Sequence, residues 1–190
     1  MLDIGDPYSK PELSQAIQTV DQTITDYFGG LSPDVFFAHP PEVWSVGENL
    51  QHLVLTVRPI TKAVLIPREK LSKRFGLADH PSRRFTEIRD QYKAGLQGGI
   101  VAPPQYVPVL DALPADPQLG QQKILADWLE TSDGLTTHLE NWTETELDTY
   151  QLPHLLFGMM TMREMLFFTL YHNLHHLDDA QRLVARKDKS

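Results

Sequence analysis

Cysteine is absent from this 190-residue chain. Disulfides, thiolate nucleophiles, iron–sulfur clusters and cysteine-based zinc sites are thereby excluded, and the absence suits a reducing compartment. Long hydrophobic runs are missing too, since no stretch approaches the ~20 consecutive apolar residues that a membrane span requires. The opening MLDIGDPYSKPELSQ carries acids and prolines where a signal peptide needs a basic start and an apolar run. The expectation is a soluble, cytoplasmic protein without membrane contact. Basic charge is scarce: 17 Lys and Arg stand against 25 Asp and Glu, a formal net charge of −8. Nucleic-acid binding draws most of its affinity from cations neutralising phosphates, so this balance argues against it. The densest basic clusters are Lys70, Lys73 and Arg74, then Arg83 and Arg84, then Arg182 to Lys189. Each is interrupted and reads as a solvated face.

What is present is ordinary globular material, 41% apolar and 22% charged, enough for one buried core and a single domain over residues 1–190. Four segments have helical character. The first runs from about Lys10 to Phe28, with Leu13, Ile17, Val20, Ile24 and Phe28 at spacings of three and four, and ends at Gly29-Gly30. The second begins at Ser45-Val46-Gly47-Glu48, a capping box, and continues through Leu50, Leu53 and Val57. Pro59 and Pro67 predict a kink or break there. A third helix spans about Gln118 to Trp142. The last and most apolar spans about Thr161 to Arg186, where Met162, Met165, Leu166, Phe168 and Leu170 precede His172. Glycine and proline gather between Ala78 and Pro117, with a short helix predicted over Phe85 to Leu96. A connection this long is uncommon in a compact domain and is often functional. No alternating run is long enough to predict a strand. The fold class is all-α, a four-helix bundle with one long crossover between its second and third helices.

Chemistry concentrates at His172 and His176. Four residues apart on a helix, they stack on one face with about 5–6 Å between Cβ atoms, so both imidazoles can reach one metal ion. Their helix is the most apolar in the chain, which predicts an inward face, and two unpartnered buried imidazoles would be costly. His52, between Leu50 and Leu53, borders the core. It is either a hydrogen-bonded core-edge histidine or the third ligand. Glu48, one turn before His52, is either a cap or an acid beside the metal. His175 projects about 100° away from His176 and is expected at the surface or an interface. His154 is expected to pack the turn before the last helix, whereas His39 and His138 have no visible partner. Trp44, Trp128, Met159, Met160 and Phe168 read as core.

The stretch Trp44-Ser45-Val46-Gly47-Glu48-Asn49-Leu50-Gln51-His52-Leu53 resembles the "W-S-x-x-E-x-L-x-H-L" segment of the DinB/YfiT-like superfamily. His154 to Gly158, then Thr161-Met162-Arg163-Glu164, then His172-Asn173-Leu174-His175-His176 resemble its C-terminal signature, and Tyr92 to Pro108 is similar to its Gly/Pro-rich connection. The resemblance implies an up-down-down-up four-helix bundle and often a homodimer. It also implies a metal triad of His52, His172 and His176 that binds one divalent ion such as nickel or zinc. The family commonly has Gln three residues after its last histidine, where this chain has Asp179, preceded by Asp178. Asp179 either orients an imidazole or adds a carboxylate near the ion, or is a solvated helix-end acid. Characterised members include thiol S-transferases and a thiol-dependent maleylpyruvate isomerase, and other members are labelled metal-dependent hydrolases. The functional expectation is a metal-dependent enzyme activating a small thiol or water toward a small-molecule substrate, with Leu96 to Pro117 as one wall of its pocket. The alternative is a non-catalytic binding or stress-response protein that a metal merely stabilises.

Overall fold

In a computed structural model of the chain, residues 2–41, 43–109 and 114–187 are described. Eight helices follow in order among them: α1 Lys10–Gly29, α2 Pro33–Phe36, α3 Val46–Val64, α4 Arg68–Phe75, α5 Phe85–Gln97, α6 Pro117–Leu139, α7 Glu144–Thr149 and α8 Met162–Lys187. The long helices α1, α3, α6 and α8 form the bundle, with α1 and α3 each packed against both α6 and α8. The all-α bundle and its long connection between α3 and α6 are as expected. No helix among the described residues is long and apolar enough to cross a membrane.

Local chemistry sets the helix boundaries. Ser9 with Glu12, and Ser45 with Glu48, form reciprocal capping boxes at the starts of α1 and α3, satisfying backbone N–H groups that the first turn leaves without partners. Helix α3 runs through Pro59 and stops at Val64, so the break falls before Pro67 rather than at Pro59. Gly47 belongs to α3 for a steric reason: a Cβ there would lie 2.5 Å from Phe36 Cε1. Absence of a side chain lets α2 rest against the first turn of α3.

The described residues differ from the sequence reading at the short elements: α2, α4 and α7 are helices that the apolar spacing does not predict, and a hairpin stands where no strand is expected. Gln151–His154 (β1) and Gly158–Thr161 (β2) pair antiparallel, with Gln151 opposite Thr161 and His154 opposite Gly158. Strands of four residues are too short to print an alternating pattern, and Pro153 hides one of them. Gly158, at φ 71°, supplies the left-handed turn residue.

The hairpin hands the chain to α8 through another reciprocal pair: the Glu164 amide donates to Thr161 Oγ1, and the Thr161 amide donates to the Glu164 carboxylate. Arg83 grips the same fully buried carboxylate from Nε and Nη2. Arg163, only 1% exposed, donates to Glu144, Asp148 and the Tyr8 carbonyl. Thr161 to Glu164 is thus a structural clamp that fixes where α8 begins. Gly47→Ala should lower stability by about 1–3 kcal/mol through overpacking against Phe36, read from the urea midpoint.

Candidate metal centre

Helix α3 carries His52 inward, and α8 carries His172 and His176. All three are buried, with 3%, 5% and 8% exposure. One ligand-competent atom from each lies within 4.8 Å of the others, a group that could hold a metal ion. His52 Nε2 and His172 Nε2 are 3.1 Å apart. The three ring centroids are separated by 4.5 to 5.0 Å. Two nitrogens each about 2.0–2.1 Å from a tetrahedral ion stand roughly 3.4 Å apart, so the 3.1 Å pair is close to coordinating distance.

Two neighbours fix the tautomers. His52 Nδ1 lies 2.6 Å from the Tyr106 carbonyl oxygen, which can only accept, so the proton sits on Nδ1. His176 Nδ1 lies 2.9 Å from Asn49 Oδ1 and donates in the same sense. Both rings therefore turn an Nε2 lone pair toward the centre. With His52 Nε2 unprotonated, the short approach to His172 Nε2 needs either a proton on His172 or a cation between the rings. Burial pushes the pKa of His52 down and those of His172 and His176 well down, with neighbouring imidazoles adding to the effect. Neutral imidazole is the form that ligates a metal, so the donor set fits a divalent ion.

Of the two acids considered beside the triad, neither touches a triad ring. Glu48 uses Oε2 to accept from the Ser45 amide and to pair with His39. Asp179 pairs with His175 at 3.4 Å. The groups outside the triad that hydrogen-bond its rings, Asn49 and the Tyr106 carbonyl, lie beyond what sequence reasoning picked out. Asn49 is one turn from Ser45 and hydrogen-bonds its carbonyl as any cap neighbour does. A backbone carbonyl leaves no mark in a sequence.

A cavity of about 560 Å³ opens beside the triad. Its walls come from α3, from α5 and the connection after it, from the hairpin, and from α8. Helix α5 contributes Leu96 and the connection Ile100, Val101 and Tyr106, while residues 110–113 of the connection lie outside those described. Trp128 and Met160 are core, as read from their spacing. Trp44 and Phe168 instead face the cavity. The Trp44 ring stands 4.8 Å from that of His52 and stacks at 5.9 Å on His176. Phe168 lies 5.2 Å from His172. His175, expected at the surface or an interface, is half-buried and lines the cavity beside Tyr92.

His154 does pack the turn. Its Nδ1 accepts from the Leu156 amide, and its ring meets Phe157 and Phe168. Burial pulls its pKa from 6.5 down to about 4. Between those values the unfolded chain binds a proton that the folded chain refuses, so stability contributed by the neutral ring falls as pH drops from 6.5 toward 4. His154→Asn keeps an acceptor for Leu156 but does not titrate. Its unfolding free energy should therefore decline less steeply than wild type across that window, as measured by urea unfolding at several pH values.

No curated protein and no solved structure matches the chain. A family profile described as the DinB superfamily matches residues 16–180, a span that holds all three buried histidines. The chain belongs to the DinB superfamily.

Proposed function

We propose that His52, His172 and His176 hold one divalent ion, nickel or zinc by family resemblance, and that the protein is a metal-dependent enzyme acting on a small molecule. The observation that carries this reading is the convergence of three neutral imidazoles from two helices on the wall of an open cavity. Three protein ligands leave positions free on an ion, as catalytic sites do and closed structural sites do not. The bundle also has an extensive apolar core independent of the triad, so a metal is not needed as a staple. When bound, the ion supplies Lewis acidity that keeps a small thiol, or a water, deprotonated near neutral pH.

The chain's own residues have separate tasks. Asn49 and the Tyr106 carbonyl hold Nδ1 protons so that two Nε2 atoms face inward. Trp44 and Phe168 flank the rings and limit water around them. The connection and the hairpin enclose the space in which a substrate meets the nucleophile.

Elemental analysis of purified protein should give about one divalent ion per chain, and His52→Ala and His172→Ala should each abolish stoichiometric binding. Equal metal in wild type and both variants would end the triad reading. Asn49→Ala should weaken metal binding by about 10–100-fold while the ligands remain, measured by competition with a chromophoric chelator. Turnover of a model electrophile with small thiols, or of esters and amides without them, separates transfer from hydrolysis. Absence of both would leave a non-catalytic binder.

A further inference from the structure

The wall of the cavity is unusual in what it omits. Among the described residues, no Asp, Glu, Lys or Arg lines it. Polar side chains other than the histidines are few, namely Thr56, Gln105 and the two tyrosines, Tyr92 and Tyr106. Two further lining residues are Leu155 at the hairpin turn and Val101 in the connection, and they are 80% and 81% exposed. A residue that both lines a cavity and meets solvent to that extent stands on its rim. The mouth is therefore apolar on two sides, contributed by two separate segments. Gly95 helps to set this shape: a Cβ there would lie 3.0 Å from Leu156 Cδ2, so its absence lets the hairpin turn lie close against α5.

Charge decides what such a space accepts. An ionised group taken out of water without a partner costs far more than apolar contact returns. One anionic coordinating atom is matched by the ion of the proposed function. A second carboxylate on the same ligand finds no Lys or Arg among the described residues of the wall, and it also meets a chain of net charge −8. A volume of about 560 Å³ is that of an ordinary small-molecule pocket.

We infer that the cavity takes a molecule with a single metal-coordinating head atom and an uncharged, apolar body, and that it discriminates against thiols bearing further carboxylates. This inference rests on the proposed function for the head group alone. The apolar body is carried by the walls.

The test titrates full-length protein loaded with cobalt(II) with n-alkanethiols from ethanethiol to hexanethiol, with 3-mercaptopropionate and with glutathione, following the thiolate-to-cobalt absorption band. Affinity should rise roughly fourfold per added methylene until the cavity is filled. 3-Mercaptopropionate and glutathione should bind at least about tenfold more weakly than butanethiol. Leu155→Lys, at an exposed position that leaves the fold intact, should shift the butanethiol-to-3-mercaptopropionate preference roughly two- to fivefold toward the acid. A flat chain-length series, or equal binding of butanethiol and 3-mercaptopropionate, overturns the inference and leaves the metal reading standing. In parallel, metal-free protein is titrated with 1-butanol to 1-octanol, following the part of the tryptophan fluorescence change that is lost in Trp44→Phe, since Trp44 stands at the cavity wall. If cobalt is not retained but alcohol affinity climbs with chain length, the metal reading falls and the apolar cavity stands. If alcohol affinity does not climb, the inference falls.

Discussion

Three neutral imidazoles packed between α3 and α8 impose a demand on everything around them, because a ring nitrogen removed from water needs a partner. Two of the six nitrogens are answered by the Tyr106 carbonyl and the Asn49 side chain. The arrangement then directs lone pairs to a common point, where His52 Nε2 meets His172 Nε2 across 3.1 Å. Like lone pairs at that distance repel unless a proton or a cation stands between them. Packing that is unfavourable for an apolar core is what a ligand set requires, and the depressed basicity of all three rings has the same origin in burial.

Such a site survives only if its two helices cannot slide. Capping at Ser45 fixes the start of α3 seven residues before His52. The Thr161–Glu164 pair and the buried Arg163 fix the start of α8. On an α-helix a displacement of one residue turns a side chain by about 100°, so an error at either start would swing an imidazole out of reach. The capping and clamp residues lie about two helical turns or more before the triad histidines, yet they determine its geometry through helix register.

Much of this was legible in the sequence, for reasons that differ by element. Lys10–Gly29 and Val46–Val64 announced themselves through apolar spacing and capping residues, both of which are local signals. The i, i+4 relation of His172 and His176 is a property of any helix and needed no tertiary information. His52 was open to two readings from its place beside the core, and likeness to a family decided for the ligand, because nothing local says which helix faces which. The hairpin was hidden by its brevity and by Pro153. Asn49 was hidden by its second task at the cap of α3, and Tyr106 by acting through its main chain. Trp44 and Phe168 show the limit of periodicity: spacing tells that an aromatic ring faces inward, but not whether it meets packed side chains or an open space.

The hydrogen bond from His52 to the main chain of the connection has a consequence for how this protein can diversify. Every amino acid brings the same carbonyl, so replacing the side chain at 106, or those on either side, leaves the acceptor in place so long as the loop keeps its path. The support of the ligand and the lining of the chamber are thus carried by one segment but by different atoms. A lineage could re-upholster the chamber for a new guest while the ring beneath it stays anchored.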